Sequence, residues 1–186
     1  MKLGRTALAR VAVAALLAGS LLAVVAGPAH AGSLTPRTCR TTQVNDRRLD
    51  VCARGWVNTG PTYTRGVVEM HTYAWQAGTQ SWVNSTSQSI TVNDAFVWRT
   101  DLGAIAEFGN NISSSTCRIN GPSGTIGCSV PNTYRVAFYS AAINAPNWNP
   151  FQTEVAKVSW RDDRGTAHYV DWFYGNNQLW SPVWYA

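Results

Sequence analysis

The stretch EVAKVSWRDDRGTAHYVDWF, residues 154 to 173, decides the fold class. Two runs rich in β-branched and aromatic residues flank Asp162-Asp163-Arg164-Gly165, with Gly165 where a hairpin turn needs a left-handed backbone. With that turn setting the register, Val158, Trp160, His168, Val170 and Trp172 share one face. Lys157, Ser159, Arg161, Tyr169 and Asp171 share the other. An apolar face backed by a polar one is the signature of an antiparallel pair with one side packed and one side wet.

The same punctuation repeats outward from this hairpin. Residues 66–75, 82–92 with interruptions, 95–99 and 134–140 are β-branched and aromatic, and Gly, Asn, Pro or Asp separates them. No segment carries a long helical period. Residues 101–108 read as one short helix, capped by Asp101 and with Ile105 and Phe108 on one side. Residues 141–150 (AAINAPNWNP) read as an extended loop. The expectation is an all-β protein: an antiparallel β-sandwich, immunoglobulin-like or related, of about eight to eleven short strands with at most one short helix.

The chain begins with a secretion signal. Lys2, Arg5 and Arg10 form a basic region, residues 11–26 are apolar, and Ala29-His30-Ala31 is a cleavable small-residue pattern. The apolar run is shorter than the roughly 20 residues a membrane span needs, and it ends at Gly27-Pro28. Residues 1–31 are therefore expected to be removed, leaving 32–186 as a single extracellular domain with no stable membrane anchor. Without Lys2, Arg5 and Arg10, 12 of the 15 basic residues remain against 10 acidic ones. So slight an excess argues against nucleic acid and anionic membranes as partners. A chain that is 45% hydrophobic and 13% charged also buries a core rather than staying disordered.

All four cysteines, Cys39, Cys52, Cys117 and Cys128, lie in the secreted part, which favours disulfides over metal ligation. If Asn45-Asp46 is a two-residue turn, paired positions sum to 91, as 39 and 52 do. The two cysteines then oppose each other at a non-hydrogen-bonded position, where side chains approach most closely. Cys117 and Cys128 are likewise symmetric about Gly121-Pro122-Ser123-Gly124. Two local staples are the simplest reading; the competing one is a pair of long-range bridges between sheets, as in immunoglobulin-type domains.

The search for catalytic motifs is negative. There is no G-x-S-x-G elbow, no H-E-x-x-H, no phosphate-binding loop and no cysteine left over from pairing. His71 and His168 are the only histidines of the secreted part, too few for a zinc site. His168 as a general base would need Asp162, Asp163 or Asp171 to orient it; the plainer reading is a packed sheet residue opposite Trp160. No catalytic residue, metal or cofactor is assigned.

Nine tryptophans are the unusual feature. Trp56, Trp75, Trp82, Trp98, Trp160 and Trp172 lie in or beside expected strands and are expected to fill the core. Trp148, Trp180 and Trp184, with Tyr185, have polar flanks or sit at the chain terminus, and they are the candidate binding residues. Of the 12 basic residues retained, only Lys157 is a lysine, and arginine is the cation that interfaces favour.

The Ala-rich leader ending Ala29-His30-Ala31, the pairs Cys39/Cys52 and Cys117/Cys128 and the compact Trp-rich β domain resemble the small secreted two-disulfide β proteins of actinobacteria. That group includes inhibitors, chromophore carriers and adaptor subunits of toxin particles. The resemblance implies an extracellular binding protein and assigns no functional residue. The stretch Tyr134-Arg135-Val136-Ala137-Phe138-Tyr139 also resembles a late strand of fibronectin-type sandwiches. The function expected is non-catalytic contact with an extracellular protein partner. Carbohydrate bound by exposed tryptophan is the alternative, and a small secreted hydrolase the second alternative.

Overall fold

A computed structural model describes residues 32–58, 63–107, 116–120, 125–140, 142–145, 149–172 and 177–186. The expected secretion signal, residues 1–31, and Trp148 lie outside the described residues. Among the described residues every regular element is a strand: β1 (Gly32–Leu34), β2 (Thr38–Val44), β3 (Arg47–Asn58), β4 (Tyr63–Gln76), β5 (Ser81–Asn84), β6 (Ser87–Arg99), β7 (Gly103–Glu107), β8 (Thr116–Asn120), β9 (Thr125–Thr133), β10 (Arg135–Tyr139), β11 (Ile143–Asn144), β12 (Pro150–Arg161), β13 (Ala167–Asp171), β14 (Leu179–Trp180) and β15 (Trp184–Tyr185).

They form two antiparallel sheets. In the first, β3 and β4 are the spine, with β1 and β2 on the far side of β3 and β5, β10 and β11 on the far side of β4. In the second, β12 and β6 are the spine; β13, β14 and β15 line up along one edge of β12, β9 and β7 pair with β6, and β8 closes on β9. Leu49, Val51, Ala53, Val68, Met70 and Phe138 of the first sheet share one core with Ile90, Val92, Val97, Phe151, Val155, Val158 and Trp160 of the second. The expected β-sandwich is the observed architecture, but the described residues hold fifteen strands rather than about eight to eleven, because two- to five-residue segments such as β11, β14 and β15 pair along the long spine strands.

The two hairpins read from sequence have the expected registers. Val44 pairs with Arg47 around Asn45, which takes the left-handed φ of 53° that asparagine tolerates. Cys39 therefore lies opposite Cys52, and the two are joined by a disulfide with Cα atoms 4.0 Å apart. Trp160 pairs with His168 and Val158 with Val170, and Gly165 has a φ of 83° in the turn. In the second cysteine pair, Cys117 lies opposite Cys128 in the β8–β9 register, as a local staple requires. The side chains of that pair lie outside the described residues.

Three further expectations are corrected. The proposed helix over 101–108 is replaced, over the described residues 101–107, by a turn and the return strand β7, because Gly103 adopts a φ of 90° and Arg99 clamps Asp101 with two hydrogen bonds of 2.6 and 2.7 Å, so the chain folds back onto β6. Residues 87–99 are one strand rather than two, continued through an irregularity at Asp94 opposite Val155–Lys157. Trp75 is 41% exposed, and Trp56, Trp82 and Trp98 are half-buried. Of the tryptophans expected in the core, only Trp160 and Trp172 are buried there.

The two sheets are also clamped at one end of the sandwich. The buried Arg47 guanidinium donates to both carboxylate oxygens of Asp163, at 2.7 and 3.1 Å, and pairs with Asp46 at 2.9 Å. Arg164 returns to Asp46 at 2.8 Å. The β2–β3 turn is thereby tied to the β12–β13 turn by four charges that compensate one another.

Candidate binding face

The outer face of the first sheet is built by strand parity. Along β4, Thr64, Val68, Met70 and Thr72 point to the core, so Glu69, His71, Tyr73 and Trp75 must point away from it. The registers align these with outward residues of the neighbours. Gln43, Arg48, Tyr73 and Asn84 form one row, and Thr41, Asp50, His71 and Arg135 the next. Cys39, Cys52, Glu69 and Ala137 form the third.

Arg48, Asp50, Glu69 and His71 in these rows each have a partner. Arg48 forks onto Asp50 at 2.9 and 2.8 Å, and Thr41 donates its hydroxyl to the same carboxylate at 2.7 Å. Glu69 accepts from Arg54 and, at 3.3 Å, from Arg37. Tyr73 donates its hydroxyl to His71 Nδ1 at 2.8 Å, and His71 Nε2–H donates to Asn84 Oδ1 at 2.9 Å. Burial of the Tyr73 phenol, reinforced by the Asp50 charge, pushes its pKa up, which keeps the proton this relay needs. The hydrogen bond from Arg48 to Asp50 likewise pushes the guanidinium pKa up against the opposing effect of burial. Both ring nitrogens of His71 are committed, so it is positioned as an aromatic surface rather than as a base.

The rings continue the pattern. His71 stacks on Tyr73 with centroids 4.1 Å apart and meets Tyr134 at 5.5 Å, while Arg48 lies 5.2 Å over Tyr73 and 6.0 Å over Trp82. Between β2 and β10 this face holds a cleft of about 420 Å³ whose walls include Arg37, Arg48, Asp50, His71, Tyr73 and Arg135. A second hollow of about 440 Å³, lined by Tyr134, Val136 and Ala137, shares Glu69 and Arg135 with it. Arg135 is exposed on the ridge between the two.

Of the residues proposed from sequence, the three that are described, Trp180, Trp184 and Tyr185, lie elsewhere. Trp180, 36% exposed, and Tyr185, 56% exposed, are on the outer face of the second sheet, across the sandwich from the cleft. Trp180 leans on Trp98 at 5.8 Å above the buried Glu154, whose carboxylate accepts the Trp98 indole N–H. Trp184 does not reach the surface. It is 4% exposed, donates its indole N–H to Thr64 Oγ1 at 2.9 Å and stacks on Phe151. Its place on β15 opposite Phe151 turns it inward, whatever its polar flanks. His168 is a packed residue, as its plainer reading had it. It lies flat on Trp160 at 4.4 Å and contacts Asp162 at 2.9 Å. Asp162 Oδ1 accepts the backbone N–H of Arg164 and Thr166, closing the turn. Burial of Asp162 is outweighed by these bonds, and its pKa is lowered. What sequence reasoning missed was Arg37, Arg48, His71, Tyr73, Trp75, Trp82, Tyr134 and Arg135 as one surface; the available signal was the charged Glu69 in the same alternating set of β4 as His71, Tyr73 and Trp75.

Among the described residues no group of three or more His, Cys, Asp or Glu side chains is arranged to hold a metal ion, and no helix is long and apolar enough to cross a membrane. No family model and no curated protein matches the chain. Two solved structures of the human F-spondin reeler domain are similar to it, each at 10% identity over 74% of this chain, covering 92% and 88% of theirs. Their TM-scores are 0.28, too low to bear on fold or function.

Proposed function

We propose that the protein is secreted, is not an enzyme, and acts by contact with an extracellular protein through the outer face of its first sheet, as an adaptor, an inhibitor or a component of an extracellular assembly. The observation that carries this reading is the clustering of exposed or half-buried Arg37, Arg48, Arg135, His71 and Tyr73 around one cleft, with Tyr134 against His71 beside it, and with Arg37, Arg48, His71 and Tyr73 held in place by their own hydrogen bonds. Interfaces are enriched in arginine and aromatic residues, and side chains fixed before binding lose little entropy on docking. Catalysis is disfavoured by the same network: His71 has no free nitrogen, and Asp50 and Glu69 are each neutralised by arginine. An extended polysaccharide track is disfavoured as well, since Trp75 and Trp82 meet at 64° and Trp98 and Trp180 at 58°, so neither pair makes a flat platform.

The test is affinity capture from the producing organism's own culture medium, comparing the parent with Arg135→Glu and Tyr134→Ala. A partner held by the parent and released by both variants, at unchanged melting temperature, is the expected result. A cost of about 2 kcal/mol for a central anchor corresponds to roughly thirtyfold weaker binding. Equal capture by all three proteins, or none by the parent, overturns the reading.

A further inference from the structure

At the corner of the same face, where the β2–β3 turn meets the β4–β5 hairpin, lies a separate recess of about 310 Å³ lined by Gln43, Asn45, Asp46, Trp75 and Trp82. We infer that this recess is a binding site for the end of a neutral sugar chain, one pyranose ring resting on Trp75. The inference does not depend on the protein-binding cleft.

The recess is rigid. The Trp75 backbone N–H donates to the Asp46 carbonyl at 2.9 Å, pinning the turn against β4, and Trp82 meets Trp75 edge-on at 5.5 Å. Gln43 Nε2 donates to the Asn45 carbonyl at 3.3 Å, which holds the amide at the rim. Charge then narrows the ligand. Asp46 is neutralised by Arg47 and Arg164, so it offers little pull on a cation, and Arg48 over the Trp82 ring repels one. An anion, itself an acceptor, would find no donor in the Asp46 carboxylate. A purely apolar group would desolvate Gln43, Asn45 and Asp46 without giving them partners. What satisfies every wall is a ring with an apolar face and an edge of hydroxyls. The face covers the exposed indole, and the hydroxyls donate to Asp46 and exchange hydrogen bonds with the two amides. Two indoles at 64° present one stacking surface and one wall, and a volume at the small end of ligand cavities fits a chain terminus rather than a chain.

The experiment titrates the secreted protein with cellotriose, chitotriose and maltotriose, followed by indole fluorescence and saturation-transfer NMR. At least one is expected to saturate with a Kd on the order of 0.1–1 mM. Trp75→Ala should weaken that sugar about tenfold or more, Trp75→Phe should recover part of the loss, and added salt should change nothing. The melting temperature should hold in both variants. Arg135→Glu, which tests the cleft, should leave sugar binding intact. Retention on insoluble cellulose or chitin, compared with retention on a glycoprotein before and after removal of its glycans, tells a polysaccharide source from a protein-borne one. The inference is overturned if no trisaccharide saturates at about 10 mM, a concentration tenfold or more above the expected Kd. It is equally overturned if Trp75→Ala and Trp82→Ala titrate like the parent.

Discussion

Gly55→Ala is the most severe single-methyl test of how the sheets are joined. A Cβ at Gly55 would lie 2.4 Å from Cδ2, 2.5 Å from Cε2 and 2.9 Å from Cε3 of Trp184. The indole has little room to give: it is 4% exposed, its Nε1 is bonded to Thr64 Oγ1 at 2.9 Å, and Thr64 in turn donates to the Trp56 carbonyl at 2.7 Å. Gly55 does not have a positive φ, so alanine is tolerated by the backbone and would alone add about 0.4–1 kcal/mol by restricting the unfolded chain. The clash opposes this. Overpacking of a pinned ring costs about 3 kcal/mol, the top of its usual range, and expelling the ring altogether costs about 3–5 kcal/mol. The net expectation is a loss of about 2 kcal/mol or more, a fall in Tm of roughly 4–8 °C for a domain of this size. Urea and thermal unfolding of the parent, Gly55→Ala, Trp184→Leu and the double variant measure it. Because truncating Trp184 opens the space that the new methyl needs, the double variant should be less destabilised than the sum of the singles, by about 1 kcal/mol or more. A change within about 0.5 kcal/mol for Gly55→Ala, the noise of an uninvolved site, would refute the close approach of β3 to β15, as would additivity across the cycle.

Glu154 is buried beneath Trp98 and Trp180, and burial raises its pKa; the Trp98 hydrogen bond offsets this in part and the Asp94 charge adds to it. A raised folded-state pKa gives stability that is full below the unfolded value and is lost as pH rises through the folded one, so Glu154→Gln should be more stable than the parent at neutral pH and show a flatter dependence above acidic pH; equal stability of the two proteins at neutral pH would sink this account. His168→Ala should lower stability by about 1–2 kcal/mol in denaturant unfolding and leave partner capture unchanged, because its contacts are Trp160 and the Asp162 turn. A hydrolytic activity abolished in that variant at unchanged melting would overturn both the structural role of His168 and the non-enzymatic reading.

What could be read from the sequence was what local turns dictate. Asn45-Asp46 and Asp162–Gly165 fix registers by themselves, and from a register the Cys39–Cys52 bond, the Trp160/His168 pair and the Lys157–Asp171 ion pair follow by counting. The helix proposed over 101–108 failed because Asp101 has two uses that look alike in sequence. It can cap a helix, or it can accept a neighbouring arginine in a tight turn, and the left-handed Gly103 decides for the turn. The candidate face was illegible for a different reason. Alternation along β4 separates Glu69, His71, Tyr73 and Trp75 from Val68, Met70 and Thr72, but it does not say which set meets the second sheet. Tryptophan is the largest apolar side chain, so size alone sent Trp75 and Trp82 inward and left Trp184, at a polar terminus, outside. The structure reverses both assignments. Gly55 opens a space on the inner surface of β3 that only a flat ring from β15 fills, whereas Trp75 is on the same side of β4 as Glu69, whose charge must stay near arginine and water. The charged neighbours two residues away along a strand are therefore better guides to which way an aromatic points than its own hydrophobicity.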